Sequence, residues 1–301
     1  MVVQERLNFD DEIAKNKVKS FFLMLIVLVV IITIGYIIAL ILDPGYFFFI
    51  MIISIVFSIG YILVSYYNSD KIALASVKAQ PASSVSHRLL INAVENMSLA
   101  SGLPMPRVYV MQSQEINAFA SGRSPEKAVI CVTTGALEKL NKQELEGVIA
   151  HEMGHIANFD IRFATLVAVM VGMVSIIAEI FLRSLWLGGS GDKDNKNAVL
   201  MIIGIVLAIV APIVVQLVQL AISRKREYGA DATGVKFTRY PRGLANALGK
   251  IKNEHVANEE LKRYPKAVAP LFISDPFKKK VQNLFSTHPD IDSRIERINA
   301  M

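Results

Sequence analysis

An α+β membrane protein is the fold class this sequence predicts, with up to four apolar helices beside a polar part of helices and one small sheet. Three observations predict it. Apolar runs of membrane-spanning length recur along the 301 residues, strand-like segments cluster between 106 and 133, and the helix after them carries paired histidines one turn apart. Composition agrees: 53% of residues are hydrophobic and 19% charged. Exchanging the 9 Tyr for the 17 Gly gives about 56% on the usual apolar set, against about 45–50% in soluble domains. Mean hydropathy is +0.43. These values exclude a disordered chain, a coiled coil and a purely soluble enzyme.

Residues 21–42 and 46–67 are each 22 residues without a charge, and about 20 helical residues cross a hydrocarbon core. Asp43-Pro44-Gly45 between them is turn chemistry, so the pair reads as a helical hairpin. The first run exceeds the apolar core of a signal peptide and no small-residue cleavage site follows it, so it is expected to be retained. Residues 163–182 and 198–222 are less regular, the third run containing Glu179 and the fourth Pro212, Gln216 and Gln219. Glu179 reads as an interfacial acid beside Arg183, with burial between helices or a place in a site as the other readings.

Net charge is 32 − 26 = +6. Lys and Arg gather where spans meet the cytoplasm rather than where nucleic acid would bind. Arg6, Lys15, Lys17 and Lys19 precede the first run, Lys71 and Lys78 follow the second, and Arg224-Lys225-Arg226 follows the fourth. Arg183, Lys193 and Lys196 between the last two runs weaken the contrast, yet the balance favours cytoplasmic termini. Cys131, the single cysteine, sits in an apolar stretch and reads as a buried thiol compatible with a reducing compartment. The expected division is 1–68 for the N-terminal segment and hairpin, 69–160 for the first polar part, 161–222 for the later apolar runs, and 223–301 for a second, helical part. Helical spacing appears over 84–99, 141–158, 224–238, 241–255 and 290 onward, and strands over 106–111, 116–120 and 128–133.

His151-Glu152-Met153-Gly154-His155 lies on the helix opened by Asn141-Lys-Gln-Glu144, which has the form of a capping box. Histidines at i and i+4 share a face and can bind one Zn²⁺, with Glu152 placed to reach water on it. The motif arises by chance on the order of once in two hundred such sequences, so its setting on a capped helix beside a sheet is what carries it. A catalytic zinc takes a third protein ligand and keeps an open position. No His lies six residues after His155. Glu227 is the candidate, with Asp231 one turn on to hydrogen-bond a ligating histidine; spacing alone does not separate this from a juxtamembrane charge cluster. Topology does: two crossings return the chain to the same side of the membrane, so the helices carrying His155 and Glu227 can emerge side by side.

With these features in this order, the sequence resembles the HtpX-like membrane-bound zinc metalloproteases, relatives of the Ste24-type CAAX endoproteases. The resemblance covers nearly the whole chain. It runs through the N-terminal hairpin, Asn117-Ala118-Phe119-Ala120, the zinc motif with Asp160 after it, the later apolar runs, Arg226-Glu-Tyr-Gly-Ala-Asp231 and Thr287-His288-Pro289. It implies a gluzincin-type protease domain with one Zn²⁺ per chain held by His151, His155 and Glu227, and Asp231 behind them. Glu152 is then the general base and Asn117 to Ala120 an edge strand that holds substrate. It also implies quality control of unfolded or damaged membrane proteins in the plasma (inner) membrane, multi-pass, with the site facing the cytoplasm. Nucleic acid is not expected as a partner, and the oligomeric state is left open. His288 is a candidate oxyanion donor or simply part of a turn capping the last helix; His87 and His255 read as surface residues. A prenyl-protein endoprotease shares the chemistry but is expected to have more spans. A non-catalytic zinc scaffold would have four protein ligands and no need of Glu152.

Overall fold

The computed structural model describes residues 9–41, 44–168, 204–205, 224–254, 271–273 and 290–301. The first apolar run lies in helix α1 (Phe9–Ile41) as far as Ile41, and the second is helix α2 (Phe47–Tyr67), preceded by a single turn at Pro44–Tyr46. Glu179, Pro212, Gln216, Gln219, His255 and His288 lie outside the described residues, as do the third and fourth runs apart from 163–168 and 204–205. Among the described residues one helix, Phe47–Tyr67, is long and apolar enough to cross a membrane.

That helix is built inside out relative to a soluble one. Its buried residues are Ser54, Ser58 and Ser65, while Phe48, Ile52, Val56 and Phe57 are 79%, 61%, 66% and 59% exposed. Ser54 and Ser58 return their hydroxyls to the carbonyls of Ile50 and Ile55 at 2.8 and 2.9 Å. Small, internally satisfied groups therefore face the neighbouring helix, where Gly35 lies directly against Ser54. Water would not tolerate that outer surface; lipid requires it, and close packing of small residues is how helices associate there.

The chain continues through α3 (Ser69–Ser76), β1 (Gln80–Pro81), α4 (Arg88–Ser101), β2 (Arg107–Met111), β3 (Ala118–Ser121), β4 (Val129–Thr133), α5 (Thr134–Lys139) and α6 (Lys142–Ala157). The sheet order is β1-β2-β4-β3; β2 and β4 are parallel, and β3 is antiparallel to β4 with Phe119 opposite Cys131. The three expected strands are present, and the two-residue β1 is too short to leave a periodic signal. Helix α4 starts four residues later than its pattern suggests, because Ser83 N–H donates to His87 Nδ1 at 3.0 Å and holds a turn there.

β4 is buried along its whole length because both faces are covered. Leu90, Val94, Ile130, Val132, Val148 and Ile149 form the core on one side. Leu74, Phe119, Val129, Cys131 and Phe272 form it on the other. Cys131 is a buried free thiol, as expected, and burial pushes its pKa up so that it stays protonated. Three further helices complete the described structure: α7 (Arg224–Thr238), α8 (Pro241–Asn253) and α9 (Ile291–Asn299).

The expected capping box on α6 is formed. Asn141 Oδ1 accepts from Glu144 N–H at 3.0 Å, and Glu144 Oε2 accepts from Asn141 N–H at 2.8 Å. Glycines let two other helices press against α6. A Cβ on Gly147 would stand 2.5 Å from the Leu244 nitrogen of α8, and one on Gly234 of α7 would stand 3.0 Å from the His151 nitrogen. Backbone thus packs on backbone at the helix that carries the histidines. Gly147→Ala improves intrinsic helix propensity, yet it is expected to lower stability by about 1–3 kcal/mol through overpacking. Thermal unfolding in detergent checks this, and an unchanged or raised midpoint contradicts it.

Candidate metal centre

His151 and His155 project from one face of α6, and Glu227 reaches them from the first turn of α7. One ligand atom from each of the three lies within 4.8 Å of the others. Glu227 Oε2 is 3.7 Å from His151 Nε2, and Glu227 Oε1 is 3.6 Å from His155 Nε2. Tetrahedral zinc ligands at about 2.0–2.2 Å from the ion stand roughly 3.3–3.5 Å from one another. The donor set therefore fits one zinc, by chemistry and by span.

Each imidazole is keyed from behind by its own carboxylate. Asp231 Oδ1 lies 2.9 Å from His151 Nδ1, and Asp160 Oδ2 lies 3.0 Å from His155 Nδ1. An ionised carboxylate only accepts, so each histidine carries a proton on Nδ1 and presents Nε2 to Glu227. Asp231 is held in turn by Arg294 from α9. The Arg294 guanidinium donates through Nε and Nη2 to the two Asp231 oxygens at 2.9 and 2.7 Å, and its Nη1 is 3.4 Å from Glu227 Oε2.

The electrostatics follow from burial. Asp160, Glu227 and Asp231 are buried around the two imidazoles, with Arg294 ion-paired to two of the three. Burial alone would raise the Asp231 pKa, but Arg294 and the His151 hydrogen bond hold it below the usual carboxylate range. Burial lowers the His151 pKa. Burial also pulls the His155 pKa down, but the Asp160 hydrogen bond and the nearby Glu227 carboxylate outweigh it and raise it to about 9. Burial pushes the Glu152 carboxyl up to about 7. Its Oε1 is buried with no hydrogen-bond partner among the described residues.

Glu152 and His155 border a cavity of about 30 Å³, also lined by Ala120, Asp160, Phe272 and Ile273. That is room for a water or two. Asn117 precedes β3, and its side-chain oxygen accepts from Ala118 N–H at 3.0 Å. β3 is the last strand of the sheet, and Ala118, Phe119 and Ala120 are all buried. Its outer edge is met by residues 271–273: Phe272 pairs antiparallel with Phe119, and Ile273 N–H donates to Ala118 O at 3.0 Å.

The family model for peptidase family M48 matches residues 85–301. The chain belongs to peptidase family M48. It is 48% identical over 243 residues to a protein named protease HtpX homolog from Caldanaerobacter subterraneus subsp. tengcongensis, covering 79% of this chain and 80% of that one. A protease HtpX homolog from Dictyoglomus thermophilum is 39% identical over 296 residues, 97% of this chain and 95% of the other. Among solved structures, S. mikatae Ste24p matches with a TM-score of 0.45 and 18% identity, over 96% of this chain and 66% of that one. As an M48 member the chain is a metalloprotease, a hydrolase of peptide bonds.

The paired histidines, Glu227 and Asp231 thus meet in one place with Asp160, which the sequence marked only as following the motif, whereas Arg294 and the segment 271–273 carried no local signal. Arg294 sits 143 residues from His151 on an amphipathic helix, where one Arg among several reads as surface charge.

Below its pKa of about 9, His155 is protonated in the metal-free protein and must lose that proton to ligate. Zinc titrated into the apoprotein at about pH 8 is therefore expected to release about one proton, with affinity rising up to about pH 9 and levelling beyond. Calorimetry in buffers of different ionisation enthalpy reads this directly. Asp160→Asn is expected to shrink the release and weaken zinc binding by about 10–100-fold; no proton release by either protein contradicts the assignment.

Proposed function

We propose that the chain is a zinc-dependent endopeptidase of the plasma (inner) membrane, crossing it more than once. In this reading its site faces the cytoplasm and it cleaves unfolded or misassembled membrane proteins. The observation that carries the reading is the buried Glu152 carboxyl beside three convergent ligand atoms, each ligating imidazole fixed by its own carboxylate. A zinc ion, when bound, supplies a Lewis acid that lowers the pKa of water and polarises the scissile carbonyl.

The chain's own residues do the rest. His151, His155 and Glu227 would hold the ion. Glu152, with its pKa near 7 from burial, takes the proton of the attacking water and returns it to the leaving amine. Asp160 and Asp231 keep both imidazoles in the ligating tautomer throughout. An extended peptide adds to the outer edge of β3 by main-chain hydrogen bonds, using Asn117 to Ala120 as its rail in place of residues 271–273. The cavity of about 30 Å³ holds no peptide while residues 271–273 lie against β3, so a substrate segment has to compete with them for backbone hydrogen bonds. That requirement, with the lipid-facing surface of α2, supports unfolded membrane proteins as the substrate class.

Glu152→Gln is expected to lower cleavage of an unfolded model protein in detergent by about 10²–10⁴-fold while keeping one zinc per chain. Equal cleavage by both proteins, with zinc retained in each, contradicts the mechanism.

A further inference from the structure

One end of the sheet forms a second cavity, of about 420 Å³, where α2 meets the polar domain. The topology explains its charge. β2 begins at Arg107 and β4 at Val129, parallel to each other, while the antiparallel β3 ends at Ser121. The starts of two strands and the end of the third therefore converge. Gly122, at φ +138°, brings the loop so close to the Lys127 carbonyl that a Cβ would stand 2.6 Å from it. This fold sets Arg123 and Lys127 on one rim. Tyr67, the last residue of α2, and Lys71 of α3 line the same cavity.

Four cations thus line the cavity against two acids, 4 − 2 = +2. Asp70 is ion-paired with Arg107, and the exposed Glu126 carboxyl is held chiefly by the Ser124 side chain. Arg123 and Lys71 have no carboxylate partner among the described residues. Arg123 is instead preset by aromatic stacking, with its guanidinium carbon 4.4 Å from the Tyr67 ring centre and 5.8 Å from that of Tyr66. Stacking fixes the guanidinium plane and leaves its N–H edges for a planar or tetrahedral oxyanion.

We propose that this cavity binds the phosphodiester headgroup of an anionic phospholipid. The inference rests on the reading of α2 as a membrane span. α2 ends at the cavity, which puts it at the depth of the headgroups, with Tyr66 and Tyr67 in the interfacial position that tyrosine favours. A forked guanidinium and an ammonium match one phosphate, and the net charge of +2 favours an anionic headgroup over a zwitterionic one.

The test uses the full chain in nanodiscs of phosphatidylcholine alone or mixed with phosphatidylglycerol. Incorporation is read first, and then the lipid that stays bound on release, by native mass spectrometry. The wild type is expected to embed in both and to retain phosphatidylglycerol well above its bulk fraction. Arg123→Gln with Lys71→Gln is expected to lower that preference about thirty-fold, and Arg123→Lys to lose part of it although charge is kept. Arg88→Gln with Lys142→Gln, which removes two exposed cations elsewhere, is expected to leave it unchanged, with all variants unfolding at the wild-type temperature. Failure to embed would overturn the span and the site together. Embedding with equal retention by the Arg123/Lys71 variant, or equal loss in the Arg88/Lys142 variant, overturns the site alone. Release of the lipid by inorganic phosphate or a phosphopeptide, at an ionic strength where chloride has no effect, would overturn the lipid assignment in favour of a soluble phosphate.

Discussion

The Arg294 guanidinium, 1% exposed, donates to both oxygens of Asp231 and lies 3.4 Å from Glu227. Burial opposes its charge, but Asp231 and Glu227 hold it protonated. The dependence runs both ways. Without a cation at this point two buried carboxylates would face each other uncompensated, which interiors avoid by neutralising them. Asp231 would then lose the charge that sets the His151 tautomer, and Glu227 the charge that suits it to hold a cation. The last helix of the chain therefore closes a site whose motif lies in the middle of it.

Steric constraint complements this charge network. Helices α6 and α7 approach closely enough at Gly234 for backbone to touch backbone beside His151. Glu227 lies seven residues, about two turns, before Gly234, which aligns it with the two histidines one turn apart. The candidate ligand atoms are thus positioned by helix packing rather than by loops. The outer edge of the bordering strand β3 is covered by residues 271–273 of the same chain, through the Phe119–Phe272 bridge and the Ile273 N–H bond to Ala118 O.

Much of this was legible in the sequence, for identifiable reasons. The α6 cap, the strands and the helix at 224–238 depend on neighbours within a few residues, so local patterns carry them. Glu227 was legible through topology, because its distance along the chain is bridged by two apolar runs. Arg294 was not: its partners are far away in sequence, and an Arg at a helical period gives no sign that it turns inward. The pairing of residues 271–273 with Phe119 was hidden likewise, since one antiparallel bridge leaves no periodicity. The membrane reading was legible as apolar length, whereas the serine face of α2 needed the packing against α1 to be seen.

The most direct test of the assembled centre is X-ray absorption at the zinc edge of the purified, zinc-loaded protein. The account predicts two imidazole nitrogens and a first shell completed by oxygen at about 2.0–2.2 Å, with no sulfur, and loss of the carboxylate contribution in Glu227→Ala. A sulfur ligand at about 2.3 Å, a third imidazole, or a spectrum unchanged by Glu227→Ala would contradict it.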